Sequence, residues 1–339
     1  MSKEKNSRNG NALIKAIVII LAAVLLLFLA YKCGRWLETR TVKPDTRGDS
    51  NQRFAYDNLV EYEGKTYRQR KDLTTVLVMG IDTEIEDVKG DENRNGGQAD
   101  FQRLIVIDNR DKKILQIQID RDTMTEITVL GVLGNPSGTR EAQICLAHSF
   151  GDGKEESCKL ACDAVSNLLL GVPIDLYCAV NLDGIGEIND FVGGITVTLE
   201  DDFTSLDPTM TKGTTLTLNA KQTEYYVRNR RSIGVGTNES RMKRQQDYIS
   251  KLFEKIVDLQ SSDANFAINF YDQLLPYMTT NISSGRLANE ASAMKAYDHS
   301  AVIEIKGQHK IASDGFMQFI VDKNSLQKMV LETFFEELK

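Results

Sequence analysis

Cysteine, proline, histidine and tryptophan are all scarce in this chain of 339 residues, which holds 5 Cys, 5 Pro, 3 His and 1 Trp. So few cysteines over such a length do not make a disulfide-stapled scaffold. The shortage of proline excludes a proline-rich stalk spanning a wall. Histidine is too sparse to support a histidine-led hydrolase, since only His148 precedes residue 298. An excess of positive charge is missing too: 41 basic against 48 acidic side chains leave −7. That balance argues against a diffuse nucleic-acid-binding surface, while a local basic pocket for an anion stays open. No nucleophile elbow, Walker loop or dinucleotide fingerprint occurs. With 41% hydrophobic and 26% charged residues, however, the chain can bury a core.

One long apolar run is present. From Ala16 to Tyr31 the chain reads AIVIILAAVLLLFLAY without a charge, and from Ala12 onward only Lys15 interrupts it. The Lys15 stem can snorkel to an interface. Lys3, Lys5, Arg8 and Lys15 precede the run against the single acid Glu4, which favours the N-terminus inside. Ala30-Tyr31-Lys32 is a poor cleavage site for a secretory leader. The expectation is a cytoplasmic tail over residues 1–15, a transmembrane signal anchor over 16–31 and everything later outside the cell membrane, with membrane lipid as a partner.

Residues 32–74 read as an extracellular tether with a small hairpin: 41–56 are polar and turn-forming, and Val60–Arg70 alternates around Glu63-Gly64. Strands are expected at Thr75–Ile81, Arg103–Asp108, 114–120, Asp175–Val180, Ile195–Leu199 and Phe316–Val321. Residues 83–98, acidic and glycine-rich, suit a mobile loop. GVLGNPSG at 131–138 reads as another loop. Cys158, Cys162, Val165 and Leu169 form an apolar stripe on a helix over 154–170. Asn219 and Gln222 form a capping box for a helix running to Arg228. Further helices are expected at about Glu239–Leu259 and Ser325–Leu338. The interleaving predicts one α/β domain with helices on both faces of a central sheet, residues 261–339 completing it.

Two acids stand beside strands: Asp82 follows the first and Asp100 precedes the second. Side chains at strand ends are where open α/β sheets bind ligands, and two carboxylates there could hold Mg²⁺ against phosphate oxygens. A pair of solvated turn acids fits the spacing as well. Arg121-Asp122 follows the third strand. Arg228, Arg230 and Arg231 are separated by SIGVGTN from Arg241, Lys243 and Arg244. Guanidinium forks suit pyrophosphate. Arg241, Gln245, Tyr248 and Leu252 share one helix face, so the polar pair continues a packing stripe and points toward the domain.

Taken together, these segments resemble the LytR-CpsA-Psr family of membrane-anchored transferases of Gram-positive envelopes. VLVMGID, GGQADFQ, DRDT at 120–123, NLDGIGEINDFVGGITVTL at 181–199, LNAKQTEYYVRNRR and ESRMKRQQ follow the family's order and spacing from Thr75 to Ile256. The resemblance implies a three-layer α/β/α domain with a mixed central sheet, its catalytic core over residues 75–260. It implies transfer of an anionic glycopolymer, of teichoic acid or capsular polysaccharide type, from a polyprenyl-pyrophosphate carrier to peptidoglycan through a phosphodiester. The lipid tail would occupy a hydrophobic pocket. Asp82 and Asp100 would organise Mg²⁺ (or Mn²⁺), Arg121, Arg228, Arg230 and Arg241 would grip the pyrophosphate, and Gln245 would bond beside them.

The chain departs from the family at four positions. Gln98 and Gln143, in the pyrophosphate set, stand where an arginine and a lysine are common; Cys145 replaces a usual asparagine, and Asn238 a frequent acid. A protein that binds or senses lipid-linked intermediates without transfer, and a lipid-pyrophosphate phosphohydrolase, are the rival expectations.

Overall fold

The computed structural model describes residues 59–82, 96–131, 135–229, 233, 238–263, 265–287 and 297–338. The apolar run 16–31, the tether 41–56 and residues 83–95 of the acidic stretch lie outside them. Among the described residues no helix is long and apolar enough to cross a membrane.

The hairpin around Glu63-Gly64 forms as its sequence predicts. Strands β1 (Val60–Tyr62) and β2 (Lys65–Gln69) pair antiparallel, and both turn residues take positive φ, 49° and 77°. That is the turn whose twist matches two flanking strands, and glycine supplies its costlier position. Next come β3 (Leu73–Asp82), β4 (Gln98–Asp108), β5 (Lys113–Ile119), β6 (Met124–Leu130), β7 (Pro136–Gln143) and helix α1 (Glu155–Leu168). They are followed by β8 (Leu176–Asn181), α2 (Ile185–Phe191), β9 (Thr196–Thr198), β10 (Thr215–Thr217), α3 (Ala220–Arg228), α4 (Asn238–Ser262) and α5 (Phe266–Leu274). The chain closes with β11 (Met278–Thr280), β12 (Asp298–Glu304), β13 (Gly307–Ile311), β14 (Met317–Val321), α6 (Lys323–Phe334) and β15 (Phe335–Leu338).

Six strands form the mixed central sheet in the order β11-β8-β3-β4-β5-β12. The β3–β8 and β5–β12 pairs are parallel; β3–β4, β4–β5 and β8–β11 are antiparallel. Residues of β4 alternate between two covered faces. Ile105 and Ile107 join Val76, Val78 and Phe253 of α4 on one side. On the other, Leu77, Leu104, Val106 and Ile117 are wholly buried, and Tyr177 sits beside Cys158 and Cys162 of α1. Leu115, Ile117 and Ile119 of β5 alternate with Gln116 and Gln118, a pattern that suits a strand buried on one side, but cover on both faces buries residues on both. Gln116 is buried as well, where it and Gln118 accept from the buried Arg103 at 3.2 and 2.7 Å.

Three expectations are corrected. The second strand begins at Gln98 rather than Arg103, because Gln98 and Ala99 pair with Asp82 and Ile81 across the sheet. Residues 131–138 are not wholly a loop: β7 starts at Pro136 and pairs with β6, a strand the polar run MTEIT hid. Within the hairpin tip, Gly131 N donates to Asn135 O at 2.8 Å. Helix α6 ends at Phe334 instead of Leu338, since Phe335–Leu338 pairs with β2. The Asn219–Gln222 capping box is present with both hydrogen bonds, at 2.9 and 3.2 Å.

A second cluster of buried side chains, Tyr248 and Phe203 among them, joins α2, α3, α4 and α5. Asn189, fully buried, ties it together: it donates to Leu218 O at 2.7 Å and accepts from Ile195 N and Tyr248 Oη at 3.1 Å each. Satisfying every polar edge of a buried amide avoids about 1–3 kcal/mol of desolvation cost.

Candidate active site

Antiparallel pairing puts the end of β3, the start of β4 and the end of β5 together at one end of the sheet. That end carries the candidate site. Gly80 opposes Phe101 and Ile81 opposes Ala99, so Asp100 is the extra residue of a β-bulge. A bulge bends the strand and re-aims a side chain; here it delivers the carboxylate to two arginines. Arg121 Nη1 lies 2.6 Å from Asp100 Oδ1, and Arg241 Nη2 lies 3.4 Å from Oδ2. The other arm of Arg241 reaches Asp82 Oδ2, also at 3.4 Å. One guanidinium therefore spans both carboxylates.

The bulge is clamped from behind. Ala99 N donates to Cys145 O and Gly96 N to Ser149 O, while His148 Nδ1 and Ser149 Oγ donate to Gly97 O at 3.1 and 3.0 Å. A Cβ on Gly96 would collide with the His148 carbonyl oxygen, so glycine alone permits this approach. Arg121 Nη2 donates to Gln98 Oε1 at 2.6 Å and approaches Cys145 Sγ at 3.5 Å. Burial raises the Asp100 pKa, with Arg121 and then Arg241 opposing it. Burial likewise pushes the Cys145 thiol up to about 12, which leaves it neutral.

Of the residues singled out from sequence, Asp82, Asp100, Arg121, Arg241 and Gln98 meet here. Gln245 lies one turn beyond Arg241 on the face that carries Tyr248 and Leu252, and its buried Nε2 has no hydrogen-bond partner among the described residues. Arg228 stands at the end of α3, 2.8 Å from Asp183, which follows β8. Gln143 stands one residue removed: its amide donates at 2.8 Å to Asp122 Oδ1, which lies 3.6 Å from Arg121 Nε, and at 2.7 Å to Met317 O. Arg230 lies outside the described residues.

Sequence reasoning missed the Cys145 contact and the clamp, because both depend on a short turn folding back on β4. It grouped Arg244 with the anion-binding arginines. Arg244 is instead buried, bonded to Asp201 Oδ2 at 2.8 Å, to Tyr226 O at 3.0 Å and to Asn229 O. It fastens α4 to the end of α3.

The profile of the LytR_cpsA_psr family matches residues 39–334. The chain belongs to the LytR-CpsA-Psr family. Among similar proteins is a polyisoprenyl-teichoic acid–peptidoglycan teichoic acid transferase TagU of Enterococcus faecalis, 27% identical over 79% of this chain and 80% of its own. The TagU of Bacillus licheniformis is 25% identical over 98% of both chains. A solved Streptococcus agalactiae protein superposes with a TM-score of 0.59 at 25% identity, covering 79% of this chain and 91% of that one. The mixed central sheet is thus that of LytR-CpsA-Psr structures.

The donor set at this end of the sheet suits a hard divalent cation. Two carboxylate oxygens, Asp82 Oδ2 and Asp100 Oδ2, lie close enough to flank one guanidinium. Mg²⁺ is commonly held by one or two carboxylates, with waters and phosphate oxygens filling its octahedron.

Proposed function

We propose that this protein transfers an anionic glycopolymer from a polyprenyl-pyrophosphate carrier to a peptidoglycan hydroxyl, forming a phosphodiester and releasing polyprenyl phosphate. The observation that carries the reading is the convergence of Arg121 and Arg241 on the bulge carboxylate of Asp100, with Asp82 beside it. The names of the TagU relatives supply the donor and acceptor classes.

Phosphoryl transfer asks a protein mainly for positioning and for charge opposite the developing anion. Asp100 and Gln98 hold two arms of Arg121, which fixes the plane of its fork before substrate arrives. Arg241 is held by two longer ion pairs and can turn toward a phosphate without abandoning both. Gln245 offers a further donor. Asp82 and Asp100 would hold Mg²⁺, and the chemistry it would supply there is to offset the negative charge of the pyrophosphate. The more exposed of the two carboxylates, Asp82, is the one an acceptor hydroxyl can approach to give up its proton. Residues 16–31 anchor the domain outside the membrane, where donor and wall meet.

The test is direct. Detergent-solubilised full-length protein, Mg²⁺, a synthetic polyprenyl-pyrophosphate oligosaccharide and peptidoglycan oligomers are incubated, and mass spectrometry looks for sugar joined through phosphate. Product is expected from the native chain and not from Asp100→Ala. Tight donor binding without product would favour a sensor; free glycan phosphate without attachment would favour a hydrolase.

A further inference from the structure

We propose that Asp120, Asp122 and His309 form a second cation site, distinct from the Asp82–Asp100 pair and selective for a borderline-soft ion such as Zn²⁺. One ligand atom from each lies within 4.8 Å of the others. His309 Nε2 is 3.0 Å from Asp120 Oδ2. Ligands about 2.0–2.1 Å from a tetrahedral ion stand about 3.3 Å apart, so this edge is already set and closing the third ligand needs about 1.5 Å of movement.

The groups are positioned before any ion arrives. Asp120 Oδ1 accepts from Asp122 N at 2.8 Å, which leaves Oδ2 facing His309. Gln143 Nε2 holds the Asp122 carboxylate at 2.8 Å. His309 comes from the other end of the chain, yet its place is fixed by backbone contacts. It pairs with Phe319 across β13–β14, and Phe319 N donates to Asp122 O at 2.8 Å. Each carboxylate thus has an outer partner of the kind that orients metal ligands.

Charge points the same way. The Asp122 side chain is 5% exposed, and its ion pair among the described residues is with Arg121 Nε at 3.6 Å. That guanidinium is already engaged by Asp100 at 2.6 Å. Gln143 brings no charge. A buried carboxylate so weakly matched is well served by a divalent ion. One imidazole with two carboxylates suits Zn²⁺ better than Mg²⁺ or Ca²⁺, which take oxygen sets. His309 and Asp120 are 50% and 28% exposed, which gives an ion its way in and leaves room for a water. Bound there, the ion would pin the β13–β14 hairpin to the turn that carries Arg121 and take the charge of Asp122 off that arginine.

Full-length protein in detergent, stripped by chelator, is titrated with Co²⁺ while its d–d absorbance is followed, then with Zn²⁺ by calorimetry. One ion per chain is expected, with a Zn²⁺-dependent rise in Tm. His309→Ala and Asp120→Asn should each weaken Zn²⁺ at least about 100-fold, and Asp82→Asn should leave it unchanged. Near-ultraviolet dichroism confirms that each variant is folded; His309 is exposed enough to truncate, and Asp120→Asn repeats the test independently. No saturation by about 1 mM Zn²⁺, native affinity retained in both ligand variants, or loss in Asp82→Asn alone would overturn the site. A purely ionic His309–Asp120 contact would give the first of these.

Discussion

Arg121, in the turn after β5, and Asp100, in β4, reach each other across the end of the sheet, and their 2.6 Å ion pair exists because a bulge turns Asp100 toward that turn. A regular β4 would pair every residue of Gln98–Phe101 in strict alternation and aim that side chain by the pleat alone.

Arg121→Lys keeps a charge and loses the planar fork that engages Asp100, Gln98 and Asp122 together. Transfer should fall about 10²–10³-fold, with donor binding affected much less. Product formation and lipid binding measured side by side separate the two.

Gln98→Arg tests whether the uncharged residue is a defect or an adaptation. Gln98 Oε1 accepts from Arg121 Nη2 at 2.6 Å, so a guanidinium there would meet like charge and remove an acceptor. Activity should drop rather than rise. Cys145 lies 4.0 Å from the same oxygen, and adding Cys145→Asn should recover part of the loss. A double-mutant cycle is expected to show about 0.5–3 kcal/mol of coupling, as for residues sharing one network. Independent effects would place the cysteine outside it.

Arg241 and Arg244 are three residues apart and should fail differently. Arg244→Met leaves the partly buried Asp201 and two carbonyls unmatched, which should cost about 2–4 kcal/mol in urea unfolding. Arg241→Met should remove transfer while changing the unfolding midpoint far less. Loss of transfer in a fully folded Arg244→Met would refute the division.

His148 makes the clamp pH-sensitive. Burial holds its pKa below the ordinary 6.5, so the folded state keeps it neutral where the unfolded chain would bind a proton. Unfolded chains then carry more protons, and stability rises with pH. It should be fully present above about 6.5 and decline as pH falls from there through the lower folded value. Buried Asp100 and Asp122, whose pKa values are raised, titrate in the opposite sense over the same range. The measure is therefore the Tm gap between the native chain and His148→Gln, which should narrow as pH falls from 7.5 to 5.

Local chemistry made several elements legible without coordinates. The Glu63-Gly64 turn, the Asn219 capping box and the stripe Arg241–Gln245–Tyr248–Leu252 each depend on neighbours within a few residues. The β6–β7 pair was not legible, because MTEIT carries a polar alternation without a long apolar run. The strand Phe335–Leu338 was not either: its apolar spacing suits a helix, and only the edge of β2 recruits it as a strand.

By itself the sequence determined the α/β class, the order of the motifs, and the acids and arginines at strand and helix ends, because periodicity, capping and residue type are properties of short segments. Tertiary structure alone decided which of them meet. It placed Asp100 on a bulge between two arginines, sent Gln143 to Asp122, buried Arg244 as a fastener and brought His309 to Asp120. Those outcomes depend on strand register and on which edge each strand joins, and register is fixed by pairing between segments far apart in the chain.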